Sequence, residues 1–124
     1  MCGIAGYFGT NPPTETQVHR TLEVMKNRGP NHQDVAGFST GKNHVRLLHS
    51  RLSIIDLDPR SNQPFTIGST TIAFNGEIYN YVELRKQLVD AGIELTTSSD
   101  TEVLLHFYRL HGEDCVKHFE GMWA

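Results

Sequence analysis

The chain has 124 residues, 38% of them hydrophobic, and a formal charge of -3 at pH 7. This length fits at most one globular domain, since single domains typically contain about 100–150 residues. The near-neutral charge, without lysine or arginine runs, argues against nucleic-acid and membrane-surface partners, and no stretch approaches the roughly 20 apolar residues of a membrane span. A cytoplasmic protein is expected.

The first half of the chain predicts three strands and one helix. An apolar, glycine-rich run over 3–8 predicts a buried strand that begins beside Cys2. Thr14 and Gln17 form a capping-box pattern, and apolar residues then recur at helical spacing as far as Met25. Segments 35–40 and 45–55 are predicted as strands joined by a turn at 41–43, with a loop at 58–62.

The second half predicts a hairpin, two helices and short strands. Segments 65–67 and 70–74 form the hairpin, and Asn80 with Glu83 caps a helix that stops at Gly92. A short strand over 93–96 leads to a helix from about 100 to 110, which Gly112 ends. Segment 119–124 reads as an opening strand with no closing turn, so the chain is expected to be a fragment. Antiparallel strands interrupted by amphipathic helices predict an α+β layered domain.

Cys2 is the leading catalytic candidate. Removal of Met1 would make it the first residue, with a thiol of ordinary pKa about 8.5 beside an α-amine of about 7.7–8.0. A nucleophile needs a base within hydrogen-bond reach, and here one residue carries both. The residue can also be a small buried hydrophobe. Lipidation lacks an upstream apolar stretch. A disulfide with Cys115 stays open, although two cysteines without a secretion signal fit a reducing compartment better.

Asn75-Gly76-Glu77 is the second candidate, because a sharp turn after the predicted strand would expose an amide and a backbone N–H. Acyl transfer develops an oxyanion, and removal of one preorganised donor costs about a hundredfold to a thousandfold in rate. An ordinary Asn-Gly turn is the more common meaning of this dipeptide.

Arg51 and Asp100 have two interpretations each, and His49 has one. Arg51 either faces solvent, which is the simpler interpretation, or grips the α-carboxylate of an amino acid with its planar guanidinium. His49 is expected to face solvent. Asp100 caps the third helix or receives a substrate ammonium, and the two roles are compatible.

Cofactor signatures are missing from the sequence. The seven histidines and two cysteines show no Cys-x-x-Cys or His-x-x-x-His spacing, which argues against a zinc site. There is no glycine-rich phosphate loop of the Walker or Rossmann type. We therefore expect no metal and no cofactor in this chain.

Taken in order, several motifs resemble the glutaminase domain of class II glutamine amidotransferases, with asparagine synthetases the most similar members. The resemblance covers nearly the whole chain, and it rests on 2–6, 28–30, 51–57, 62–64, 74–80, 84–85, 99–102 and 119–122. It implies an N-terminal-nucleophile hydrolase fold, a four-layer αββα sandwich with two antiparallel sheets between helical layers. One departure is Asn31, which stands where many relatives carry aspartate.

The resemblance also implies roles for individual residues. Cys2 would attack the side-chain amide of glutamine to form a thioester, and Asn75 with Gly76 would form the oxyanion hole. The residues implied to bind glutamine are Arg51, Leu52, Ser53, Ile54, Ile55, Asn75, Gly76, Glu77 and Asp100.

The implied context is a larger enzyme. Residues 1–124 would be a glutaminase domain incomplete at its C-terminus, supplying ammonia to an ATP-dependent synthetase domain that makes asparagine from aspartate. ATP and Mg²⁺ are expected only in that missing domain, and the resemblance leaves room for a homodimer. Two alternatives stay open: a related amidotransferase with a sugar or secondary-metabolite acceptor, and a non-catalytic module that binds glutamine or a partner.

Overall fold

A computed structural model describes all residues from Met1 to Ala124. Its largest sheet has three antiparallel strands in the order β1-β3-β2: β1 is Gly3–Gly9, β2 is His32–Thr40 and β3 is Asn43–Arg51. β1 lies at an edge of this sheet, and most of its residues are partly exposed. The predicted strand is therefore confirmed, but the expectation that it is buried is wrong.

β3 is shorter than predicted. It ends at Arg51, so residues 52–55, predicted as part of the strand, leave the sheet. The hydrogen-bond partners change at this point: the Leu52 N–H is donated to the Cys2 sulfur, and the Ser53 N–H to Asn31 Oδ1. This early exit frees the segment from 52 to 62 to form an irregular loop beside Cys2.

The first helix, α1, matches its prediction. It spans Glu15–Met25, with Thr14 as N-cap and a complete capping box to Gln17. Val18 and Met25 are buried and pack with Leu48 of β3 in a cluster of three buried residues. The apolar face of α1 therefore covers one face of the three-stranded sheet.

Two small antiparallel sheets follow in the chain. β4 (Phe65–Ile67) and β5 (Thr70–Ile72) form the predicted hairpin, although its second strand stops before Phe74. β6 (Gly76–Ile78) pairs with β7 (Gly121–Trp123), which confirms the terminal strand. The sharp turn predicted at Asn75-Gly76-Glu77 is wrong, because these residues are extended and pair with the distant end of the chain.

Helices α2 (Tyr81–Asp90) and α3 (Asp100–His111) enclose the main core with a 3₁₀ segment at Gly112–His118 that was not predicted. This core is a cluster of nine buried residues, and it consists of Phe74, Ile78, Leu84, Leu88, Val103, Leu104, Phe107, Cys115 and Phe119. The fold is thus α+β, with antiparallel sheets and helices.

The helix caps differ from the predictions in two places. Asn80 occupies the N-cap position of α2 but makes no capping bond, because its side chain contacts the backbone of His118 and Glu120. Ser99, rather than Asp100, is the side-chain cap of α3, and its Oγ accepts the Glu102 N–H at 3.2 Å.

The strand predicted over 93–96 does not form. Its backbone has no strand partner, and the N–H groups of Thr96 and Thr97 are donated to the buried Glu102 carboxylate at 2.9 and 2.7 Å. Both threonine hydroxyls also donate to that carboxylate. Side-chain capping thus replaces sheet pairing, and it fixes the loop that leads into α3.

Candidate active site

Cys2 lies at the start of β1, beside the point where the chain leaves β3. Its sulfur accepts the Leu52 N–H at 3.3 Å and lies 3.7 Å from the Leu52 carbonyl oxygen. Arg28 donates from Nε to the Cys2 carbonyl at 3.0 Å. Both Cys2 and Cys115 are free thiols, so they form no disulfide. These contacts hold a partly exposed thiol at a fixed place on the sheet edge.

The Cys2 thiol opens into a pocket built from four separate segments of the chain. The lining residues are Met1, Cys2, Arg51, Leu52, Ile54, Ile55, Ser61, Gln63, Phe74, Gly76, Glu77, Ser99, Asp100 and Thr101. The free space is about 40 Å³, which holds about one water molecule rather than an amino acid. Met1 forms part of the wall, so removing it enlarges the pocket directly next to the thiol.

Gly76 brings an unpaired backbone donor to this pocket. Asn75 and Ala124 exchange both of their backbone hydrogen bonds, at 3.0 and 2.9 Å. The next pair, Gly76 and Trp123, is therefore a non-hydrogen-bonded pair of the antiparallel ladder. The Gly76 N–H points away from β7, toward the side of β6 where no other strand pairs.

Gly76 also has no space for a side chain. A Cβ at this position would lie 2.4 Å from the Met122 carbonyl oxygen and 2.6 Å from the Trp123 Cβ. The requirement for glycine is therefore steric and comes from the close approach of β7.

Asn75 lies next to the pocket but is not among its lining residues. Its Oδ1 is buried without a hydrogen-bond partner. Its backbone is fixed by the two bonds to Ala124. The side-chain amide is thus a polar group on the residue that immediately precedes Gly76 and β6, without a structural hydrogen bond at its oxygen.

Two carboxylates form the acidic end of the pocket. Asp100 is buried and accepts the Ile78 N–H at 3.1 Å; burial raises its pKa above the ordinary value. Burial also raises the pKa of Glu77, and the nearby Asp100 charge raises it further, while the N-terminal ammonium lowers it. A cation in this part of the pocket would lower the pKa of both groups, because it favours the charged form of each carboxyl group.

Arg51 is buried, with only 5% of its surface exposed, so the solvent-facing interpretation is wrong. Nη1 donates to the Asp58 carbonyl at 3.1 Å and to Asn62 Oδ1 at 2.7 Å. Nη2 donates to the Ile55 carbonyl at 3.5 Å and to the Asp56 carbonyl. The guanidinium lines the pocket, but its two terminal nitrogens are fully engaged in holding the loop that follows β3.

The loop residues predicted to bind substrate divide between two cavities. Leu52, Ile54 and Ile55 line the pocket with Cys2, whereas Ser53 lines a neighbouring polar cavity. Ser53 donates its N–H to Asn31 Oδ1 at 3.0 Å. Asn31, the residue that departs from the pattern of many relatives, therefore holds this loop directly, as an aspartate oxygen at the same place also could.

His49 is completely buried, so the expectation that it faces solvent is wrong. Its Nε2 lies 3.1 Å from the Phe74 carbonyl oxygen, while Nδ1 has no partner. Burial lowers its pKa to about 4, against the smaller raising effect of the bond to Phe74. At neutral pH the ring is therefore uncharged, and Nε2 carries the proton donated to Phe74.

Gln63 has no role implied by the sequence motifs, yet it is buried and lines the pocket. Its Oε1 accepts the Phe74 N–H at 2.6 Å, and its Nε2 donates to Thr101 Oγ1 at 3.1 Å. With His49 on the Phe74 carbonyl, both backbone groups of the residue before Asn75 are held by buried side chains. The Asn62-Gln63-Pro64 motif was visible in the sequence, but its partners were not.

No group of three or more histidine, cysteine, aspartate or glutamate side chains is arranged to hold a metal ion. None of the helices combines the length and apolar character needed to cross a membrane.

Comparison with known proteins gives matches over the entire chain. Residues 1–124 match the sequence profile described as a glutamine amidotransferase domain. The chain is 40% identical to glutamine-hydrolyzing asparagine synthetase 3 of Bacillus subtilis and 34% identical to a putative asparagine synthetase of Methanocaldococcus jannaschii. It is 32% identical to amidase chry2 of Gibberella zeae. Each alignment covers 100% of this chain but only 20%, 27% and 20% of these relatives, respectively.

Proposed function

The chain belongs to the glutamine amidotransferase domain family, and we propose that it hydrolyses the side-chain amide of glutamine with Cys2 as the nucleophile. The observation that carries the proposal is the composition of one pocket. It joins the Cys2 thiol, the unpaired Gly76 N–H and the carboxylates of Glu77 and Asp100. A nucleophile, an oxyanion donor and an ammonium site are the three elements that hydrolysis of an amino-acid amide needs.

The reaction begins after removal of Met1, which frees the α-amine of Cys2. This amine takes the thiol proton, and the sulfur attacks the amide carbon of glutamine. Collapse of the tetrahedral intermediate breaks the C–N bond, and the proton held by the amine leaves with ammonia. Water then attacks the thioester, its proton passes to the amine and then to the sulfur, and glutamate is released.

The negative oxygen of each tetrahedral intermediate is stabilised by two donors on adjacent residues, the Gly76 N–H and the Asn75 side-chain amide. The direction of the Gly76 N–H supports this role, since β7 does not use it. For this role the Asn75 side chain must point an Nδ2–H at the oxyanion. Fixed donors of this kind stabilise the transition state without a reorganisation cost.

The charged groups of the substrate are bound at opposite ends of the pocket. Asp100 and Glu77 receive the α-ammonium, and the shifted pKa of each carboxyl group supports a cation there. Arg51 binds the α-carboxylate, which replaces loop carbonyls on one edge of the guanidinium. The backbone of residues 52–55 completes the pocket.

The released ammonia serves an amidation reaction elsewhere in a larger enzyme. The chain spans about a fifth to a quarter of the relatives it matches, 20% and 27% for the two asparagine synthetases. We therefore propose that it is joined to a synthetase domain that uses ATP and Mg²⁺ to make asparagine from aspartate. The complete glutaminase domain is proposed to be a four-layer αββα sandwich.

The second candidate function is an amidotransferase with a different acceptor for the released ammonia, and the similarity to amidase chry2 favours it. In this case the glutaminase chemistry is the same, but the acceptor is a sugar or a secondary metabolite. Acceptor specificity resides outside these 124 residues, so assays of the full polypeptide with aspartate separate the two candidates.

The decisive experiment measures the mass of the protein before and after incubation with a diazoketone analogue of glutamine, which alkylates active-site thiols. We expect Met1 to be absent and one adduct to form on Cys2, with excess glutamine preventing it. A Cys115→Ser variant is the matched control and should label equally. Retained Met1, or an unlabelled Cys2 in folded protein, would instead support a non-catalytic binding module.

A further inference from the structure

Asp56 is an acidic residue to which neither the motifs nor the proposed reaction gives a role. It lies in the loop after β3, with its backbone at a φ of 50°, and its side chain is only 5% exposed although the loop is on the surface. Non-glycine residues in this left-handed region are uncommon, and asparagine and aspartate are the side chains that tolerate it best.

The Asp56 carboxylate contacts a second loop far away in sequence. Its Oδ2 accepts the Ser98 N–H at 2.6 Å and the Arg60 Nε–H at 3.3 Å, and Oδ1 accepts the Asp58 N–H at 3.2 Å. Burial alone would raise the pKa of Asp56, but the Ser98 hydrogen bond leads a set of contacts that lowers it to about 2. The side chain is therefore a carboxylate throughout the neutral range.

The Asp56 backbone contacts Arg51, which lines the pocket. Its carbonyl oxygen accepts a hydrogen bond from Nη2 of Arg51. Ser98, the partner of its carboxylate, immediately precedes Ser99, the N-cap of α3, and Asp100, the first residue of that helix. One residue thus contacts both the Arg51 guanidinium and the residue that precedes the N-cap of α3, and both Arg51 and Asp100 line the pocket.

We propose that Asp56 is a positioning residue that sets the distance between Arg51 and Asp100, and thereby makes the pocket selective for a free α-amino acid. This inference rests on the proposed function, in which those two residues bind the carboxylate and ammonium of glutamine. Asp56 acts through its hydrogen bonds with Arg51 and Ser98 and does not contact the reacting atoms. Loss of its carboxylate lets the two loops separate, which weakens substrate binding more than it slows chemistry.

The test compares Asp56→Asn with Asp58→Asn in the full polypeptide. Asparagine keeps the left-handed backbone and the carbonyl but removes the charge. Asp58 is the matched control, since it lies in the same loop and its carboxylate only caps the short 3₁₀ turn Pro59–Ser61, where it accepts the Arg60 N–H. We expect Asp56→Asn to raise KM for glutamine about tenfold, from loss of charge-assisted hydrogen bonds, while kcat stays within about twofold. Asp58→Asn should change neither by more than about twofold.

A second readout separates positioning from general structural damage. Alkylation of Cys2 by iodoacetamide, which is uncharged, should proceed at the wild-type rate in Asp56→Asn, whereas labelling by the charged diazoketone should slow about tenfold at low concentration. If Asp56→Asn does not fold, Asp56→Gly keeps the same backbone conformation and is measured instead.

The outcomes are distinct. A wild-type protein that does not hydrolyse glutamine contradicts the proposed function itself. An active wild type with unchanged KM in the Asp56 variant contradicts this inference alone. A fall in kcat with unchanged KM, or an equal effect of Asp58→Asn, also overturns it.

Discussion

The sheet half of the molecule, β1–β3 with α1, differs from the helical half, β6 and β7 with α2 and α3, in how it is stabilised. The sheet half buries a cluster of three apolar residues, whereas the helical half surrounds a cluster of nine. Cys2 and Arg51 come from the sheet half, while Gly76, Glu77 and Asp100 come from the helical half.

The pocket therefore lies between the two halves, and neither half forms it alone. Polar contacts join the sheet half and the segment that follows β3 to the helical half: they link Asp56 with Ser98, His49 with Phe74, and Gln63 with Phe74 and Thr101. Because buried hydrogen bonds depend strongly on geometry, these contacts fix how the two halves meet. Substitutions in the two halves are therefore expected to have different effects on activity and stability.

The largest effect is expected from replacing Cys2, and Cys115 in the other half is the comparison. Cys2→Ala should reduce glutamine hydrolysis by about 10⁴-fold or more, because no other thiol reaches the pocket. Ammonia-dependent synthesis in the full enzyme should persist. Cys115→Ala, in the nine-residue core, should keep kcat and lower stability. Rates with glutamine and with ammonia, measured for both variants, check this, and loss of both activities in Cys2→Ala would make that cysteine structural.

Removal of the Asn75 amide tests the helical half's contribution to chemistry. Asn75→Ala should lower kcat about a hundredfold to a thousandfold with little change in KM, since an oxyanion donor acts in the transition state. The control is Asn80→Ala, whose amide bonds the backbone of His118 and Glu120. It should leave kcat unchanged. Steady-state kinetics of both variants give kcat and KM for glutamine, and a change confined to KM would assign Asn75 to substrate binding.

Matched leucine truncations test the difference between the cores. Leu88→Ala in the nine-residue cluster should cost toward the upper end of the about 2–5 kcal/mol typical of buried leucines, and Leu48→Ala in the three-residue cluster toward the lower end. The smaller cluster can relax more easily around the lost atoms. Urea unfolding of both variants measures the difference, and a larger cost for Leu48→Ala would reverse the comparison.

The smallest effect is expected from the buried His49 contact between the halves. Its folded-state pKa of about 4 lies below its ordinary value of 6.5. The unfolded chain therefore binds the extra proton, and stability from this group, present above pH 6.5, is lost as the pH falls toward 4. The loss is on the order of 1–3 kcal/mol.

His49→Gln isolates the pH-dependent stability contributed by His49, because glutamine can still donate to the Phe74 carbonyl but does not titrate in this range. Unfolding free energies of both proteins from pH 7 to pH 4 should show a steeper decline for the wild type. The contribution of Asp56, whose folded-state pKa is lowered to about 2, also begins to decline as the pH falls below about 5, but it is common to both proteins and cancels from the comparison. Parallel curves for the two proteins would refute the assignment.

Much of the secondary structure could be predicted because its causes are local. The Thr14–Gln17 capping box, the glycine stop at Gly112 and the hairpin at residues 65–72 all depend on neighbours within a few positions. The predictions were wrong where a partner outside the segment decides the conformation, whether a few residues or a whole chain length away. Segment 93–96 binds Glu102 instead of a strand, and Gly76 is extended because β7 pairs with it from the far end of the chain.

The candidate site divides in the same way. The sequence by itself determined which chemical groups are available, a thiol beside the N-terminus, an Asn-Gly pair and an acidic helix start, and its motifs assigned the family. Only the tertiary structure decided that Arg51 and His49 are buried, that the Gly76 N–H is unpaired, and that Asp56 contacts both Arg51 and Ser98. Chemical identity is a property of each residue, whereas burial and hydrogen-bond partners arise only when segments as far apart as residues 56 and 98 pack together.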